Sequence, residues 1–183
     1  MRPIVLSASL IAFSVACGYA KLLLFPYLFF VELFTVAVFL SGTLSGPAWG
    51  LWIGGVARLT FSVANPFGPP HPWVLLAQTI GGSVVGGIGG AARPWLLLAP
   101  EGSGAYRWRI PFLLACGTLA TTFYDALTNA AQGIVYGSVP AALALGLLPA
   151  AQHLVSNLAI FGVIGHLAIP WLRRHPLAAR HVA

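Results

Sequence analysis

Charge is what this chain has least of. Only 3 of its 183 residues are acidic, 9 are Lys or Arg, and the charged fraction is 7%, against about 25% in soluble domains. With 58% hydrophobic residues and a mean hydropathy of +0.89, a water-soluble fold would expose large apolar patches and aggregate. Cysteine is scarce too: Cys17 and Cys116 lie inside apolar runs, which excludes a disulfide framework and any metal-type Cys/His spacing. Short segments of alternating polarity are missing, so a transmembrane β-barrel is excluded. No Gly-x-x-x-x-Gly-Lys-Ser/Thr motif occurs, so the chain cannot drive anything with its own ATP hydrolysis. The net charge of +6 comes from basic residues scattered singly, a pattern of membrane topology and not of nucleic-acid binding.

What is there is a series of long apolar runs. A span needs about 20 apolar residues, and the runs predict an all-α integral membrane protein, a single domain of six transmembrane helices. The spans are read at about 4–24, 29–44, 47–64, 73–91, 110–136 and 151–171. The first run lacks a polar cleavage region and leads straight into the second, so it reads as a retained span and not as a signal peptide. Proline and glycine punctuate the gaps at Phe25-Pro26, Ser45-Gly46-Pro47, 65–70 and 137–140. The apolar segment 141–148 is too short to span and reads as a short interfacial or re-entrant helix.

Basic residues set the orientation. Six spans put both termini and the fourth connection on one side, which collects Arg2, Arg93, Arg107, Arg109, Arg173, Arg174 and Arg180. The other side has Lys21, with Arg58 inside the third span. Both termini are therefore expected in the cytoplasm, with the chain multi-pass in the cell membrane.

Charged and amide groups inside a bilayer are costly and mark functional sites. Given this orientation, Glu32, Arg58, Asn65, Gln78, Asp125, Asn129, Gln132, His153 and Asn157 all fall in the outer half, with Glu32 in the first turn of its span. The inner halves hold Leu, Val, Gly and Ala. Asp125, Asn129 and Gln132 share one helix face by their i, i+4, i+7 spacing, and His153 and Asn157 share another. Two such stripes on consecutive antiparallel helices can face each other across a pocket, with Trp73, Tyr124 and Tyr136 near enough to wall it. The same groups also suit interhelical hydrogen bonding without a ligand. Glu32 and Arg58 suit a structural ion pair, while Arg58 alternatively suits a substrate carboxylate or Asp125. Trp73 and Tyr136, like Tyr27, equally suit an interfacial aromatic belt.

Ala8, Ala12, Ala16 and Ala20 form a small-residue stripe on the first span. It suits either close packing within this bundle or docking of another membrane subunit. The pairs Gly81-Gly82, Gly86-Gly87 and Gly89-Gly90 read as internal packing.

In these features the chain resembles the substrate-binding S component of energy-coupling factor (ECF) vitamin transporters. The residues that carry the resemblance are Ala8-x-x-x-Ala12, Val31-Glu32-Leu33-Phe34-Thr35 and Asn65-Pro66-Phe67-Gly68, and it extends over nearly the whole chain. It implies a non-enzymatic subunit with no cofactor. Such a subunit captures a vitamin or related micronutrient in an outward-facing pocket and associates with a transmembrane coupling protein and a pair of cytoplasmic ATPases. The alanine stripe, Ala8, Ala12 and Ala16 above all, would dock the coupling protein. The rival reading is a structural membrane protein of the cell-shape machinery with no small-molecule ligand. Catalysis is disfavoured: Asp125 is the sole aspartate, which excludes an aspartyl dyad, and Ser156 shares one helix with His153 without a nucleophile-elbow context. A self-contained secondary carrier would show internal repeats, and none is evident.

Overall fold

The computed structural model describes residues 3–24, 32–100 and 103–176. Among these there is no strand, and the architecture is an all-α bundle. Helix α1 spans Pro3–Leu24, α2 Leu33–Ser45 and α3 Pro47–Val63. Helix α4 runs Pro72–Leu98, its last turn Pro94–Leu98 being π-helical. A single turn, α5 (Gly104–Arg107), precedes α6 at Arg109–Tyr136. Helix α7 runs Val139–Arg174 with a π-helical turn at Phe161–Gly165. Three of these, α4, α6 and α7, are long and apolar enough to cross a membrane, and α1 and α2 contribute shorter apolar stretches. The chain is thus an all-α protein of membrane character. Large apolar side chains such as Phe13, Trp52, Leu145, Val155, Leu167 and Trp171 are exposed around its outside, as a lipid-facing surface requires.

Local chemistry sets the ends. Pro47 and Pro72 open α3 and α4 from the first helical position, where a missing N–H costs nothing. The His71 imidazole caps α4 by accepting from Trp73 N at 3.3 Å. Gly46 and Gly137 make the two tightest turns with φ of 89° and 85°, a region that disfavours other residues. Because Gly137 and Ser138 alone turn the chain, with Ser138 Oγ accepting from Ala141 N at 3.3 Å, α7 starts at once. Segment 141–148 is therefore not a separate interfacial helix, and the expected sixth span at 151–171 is the C-terminal two thirds of one longer helix. Pro149 lies within it. A proline removes only one backbone donor, and Leu- and Ala-rich flanks of high helix propensity carry the helix across it.

Packing runs from α1 onto α2 and α3, from both of these onto α4, from α4 onto α6, and from α6 onto α7, which returns to α2. The α2–α3–α4 contact is made of glycine. A methyl group at Gly42, Gly50 or Gly54 would overlap a backbone carbonyl of α4, and one at Gly86 would overlap the Gly50 carbonyl. Gly89 and Gly90 abut the backbone at Phe39 and Pro47. The glycine pairs of α4 are thus internal packing, as read from the sequence. Phe39 against Phe161, with centroids 5.0 Å apart, closes α2 onto α7.

One end of the bundle is basic. Arg93 donates to the Leu44 carbonyl and Arg173 to the carbonyls of Leu97 (3.3 Å) and Ala99, satisfying orphan acceptors at the C-termini of α2 and α4. The polar cluster lies towards the other end.

Candidate functional site

Arg58 anchors the cluster. It projects from the last third of α3, where Gly82 of α4 leaves room for its stem. Its guanidinium lies over the rings of Tyr124 (4.5 Å), Phe34 (5.1 Å) and Phe61 (5.8 Å), so its desolvation is partly offset by cation–π contact. Nη1 donates to Glu32 Oε1 at 3.0 Å and Nη2 to the Tyr124 hydroxyl. The expected Glu32–Arg58 pair therefore exists, and Asp125 is not the partner of Arg58.

Glu32 has a second cation. Its Oε2 is 2.7 Å from His153 Nε2, while His153 Nδ1 faces both Asp125 carboxylate oxygens at 2.9 and 3.0 Å. Ionised carboxylates only accept hydrogen bonds. Both ring nitrogens therefore donate, and the imidazole is held as a cation. The result is a closed set, Arg58–Glu32–His153–Asp125, with two positive and two negative charges. It ties α2, α3, α6 and α7 together.

The antiparallel register of α6 and α7 explains the rest. With Asp125 opposite His153, the next turn places Thr121 opposite Asn157, and Asn157 Nδ2 donates to Thr121 Oγ1 at 2.9 Å. Asn157 is fully buried, and its Nδ2 packs 3.0 Å from His153 Nε2, a donor beside a donor, so its hydrogen bond goes to Thr121 and not to the histidine. In the opposite direction Asn129 faces Gly146, where a methyl group would collide with the Asn129 amide.

Above this set lies a cavity of about 330 Å³. Eight sequence-selected residues line it: Glu32, Arg58, Gln78, Tyr124, Asp125, Asn129, Gln132 and His153. The Gln78 oxygen accepts from Ser62 at 2.7 Å. Four other candidates do not line it. Asn65 closes its own turn, accepting from Phe67 N at 2.9 Å. Trp73 and Tyr136 are exposed at the bundle end, 56% and 81%, where an aromatic belt would sit. Asn157 is behind the cavity wall. Tyr27 lies outside the described residues. Thr128, which was not among the candidates, also lines the cavity, as does Gln152, a polar group at the outer start of the expected sixth span that was not taken as a site residue. Thr128 and Thr121 fall on the Asp125 helix face at i+3 and i−4, the signal that could have found them.

Depth is the other surprise. Gly82 follows Pro72 by ten residues, or about 15 Å of helix at 1.5 Å per residue. Arg58 packs at that level, so the cluster sits well below the rim of α4. Glu32 directly precedes α2, and this short helix therefore begins inside the bundle, not at its mouth.

On α1 the alanine stripe faces outwards. Ala8, Ala12 and Ala16 are exposed and Ala20 is half-buried, whereas Ser7, Ser14 and Gly18 form the buried face. Ser14 Oγ meets Ser41 Oγ of α2 at 3.5 Å. Close packing within this bundle is therefore not what the stripe does.

No protein-family model, curated protein or solved structure matches the chain.

Proposed function

We propose that this chain is a substrate-binding membrane subunit of the ECF-importer type, capturing a vitamin-like small molecule from outside and passing it inwards with partner subunits. The observation that carries the reading is the cavity of about 330 Å³. It is a space of ligand size, bounded by a compensated charge set and several amides, in a chain where such groups are otherwise nearly absent. A purely structural bundle would gain nothing from leaving that space open. Its position towards the end opposite Arg93 and Arg173 fits an outward-facing site, the basic end being cytoplasmic by the positive-inside rule. In this reading the bundle crosses the cell membrane six times with both termini inside. Neither a catalytic role nor a cofactor is part of the proposal.

The exposed alanine face of α1 supplies the surface on which a transmembrane coupling protein docks, and cytoplasmic ATPases supply the energy. Ala12→Trp tests that division. The bulky ring adds volume on an exposed face and leaves the cavity untouched. Uptake into cells or proteoliposomes bearing the partner subunits is expected to fall at least tenfold, with small-molecule affinity unchanged. Loss of both would place the stripe in the fold, and retention of both would remove α1 from docking.

A further inference from the structure

A second space of about 480 Å³ runs between α6 and α7. It shares Asp125, Asn129 and Ala150 with the first. Beyond that junction its walls are almost wholly apolar, made by Ala126, Leu143, Leu147 and Leu154, and with Leu143 and Leu147 exposed it opens as a cleft to the outside of the bundle. Gly146 holds it open at the junction by leaving room for the Asn129 amide. The site therefore has a polar chamber and an apolar annex meeting at Asn129.

The chamber's polar groups divide in two. Arg58, Glu32, His153 and Asp125 are committed to one another and sum to zero charge. A charged guest would break this set or add an uncompensated charge within the bundle, and either is costly. The amides differ. Asn129, Gln132 and Gln152 have no side-chain hydrogen-bond partner among the described residues, and Gln78 is held only through its oxygen. Each amide offers both a donor and an acceptor, which matches an uncharged edge of the same kind on a guest.

Resting on the binding role proposed above, we infer that the guest is an uncharged amphiphile. Its head carries amide, lactam or hydroxyl groups and lies against Asn129, Gln132 and Gln152. Its apolar ring or short alkyl chain enters the annex between α6 and α7.

Three matched probes test this on the full chain in lipid nanodiscs: nicotinamide, N-butylnicotinamide and nicotinate. The uncharged head should bind weakly, and the butyl chain should tighten binding by about tenfold through partial burial of its methylenes. Nicotinate should not bind. Ala126→Leu and Ala151→Phe, which fill the annex from opposite helices and do not line the chamber, should each abolish the butyl gain and leave nicotinamide binding as it was. Nicotinate binding as tightly as nicotinamide would overturn the inference. So would a butyl gain that survives both variants. No gain at all in the wild type would overturn it too, and would assign the annex to a lipid acyl chain. If all three probes are silent, the compound released from the denatured wild-type chain decides. A charged compound overturns the inference and leaves the binding role standing, an uncharged amphiphile supports it, and no compound removes the binding role itself.

Discussion

Glu32→Ala is expected to cost about 3–5 kcal/mol of stability, the range for removing one member of a buried ion pair. The reason is the position of Glu32 between two cations, 3.0 Å from Arg58 and 2.7 Å from His153. Its removal leaves both cations facing each other with only Asp125 to compensate. Glu32 lines the cavity with its side chain 15% exposed, and water entering there solvates the two cations less well than the carboxylate held between them. Unfolding in mixed micelles, followed by helical circular dichroism, measures the loss. A second variant separates charge from packing: Glu32→Gln combined with Arg58→Met nearly keeps the volumes and removes one charge of each sign. It is expected to recover at least half of the lost stability. A single Glu32→Ala change that costs under 1 kcal/mol would show that the four charges are not one set.

Gly86→Val is expected to be as damaging for a different reason. The backbones of α3 and α4 touch here, and any Cβ at position 86 overlaps the Gly50 carbonyl. Backbone cannot rotate away as a side chain can, so the helices must separate along the whole glycine seam. Overpacking typically costs about 1–3 kcal/mol, and a backbone obstruction at the densest helix pair should reach or exceed the upper end. Size-exclusion profiles after mild-detergent extraction should show the monodisperse peak lost. Gly162→Ala is the matching control, since its Cβ would meet only Leu114 at 3.5 Å, an ordinary contact. Equal behaviour of the two variants would refute the seam.

Much of this is legible in the sequence. Long apolar runs and their Pro/Gly boundaries placed α1, α3 and α6 within a residue at each end and the close of α2 as nearly, because proline and glycine act locally. Helix α4, by contrast, runs to Leu98, seven residues past its expected end. The rarity of charge made Glu32 and Arg58 stand out as partners, and helical spacing put Asp125 and Asn129 on one face. What stayed hidden depended on tertiary context. Segment 141–148 reads as separate from the sixth span, yet the immediate turn at Gly137-Ser138 leaves it against α6, and the helix continues through Pro149. Trp73 and Tyr136 have pocket-like chemistry, but one opens α4 and the other ends α6, which leaves both at the rim. Asn157 shares a face with His153, but its level one turn deeper pairs it with Thr121 and removes it from the cavity. His153 bridging two carboxylates needed the return of α7 towards α2, a contact between residues far apart in the chain. The direction of the alanine stripe was equally open until Ser7, Ser14 and Gly18 were seen to take the buried face.

The central claim is that the chamber above Arg58, Glu32, His153 and Asp125 holds a small molecule. Native mass spectrometry of the chain, released from nanodiscs after expression in rich medium, tests it most directly. The account predicts the polypeptide carrying one additional small organic mass, reduced or absent in Asn129→Leu at unchanged thermal stability. A wild-type spectrum of bare polypeptide, together with no thermal stabilisation by any compound in a vitamin panel, would contradict it.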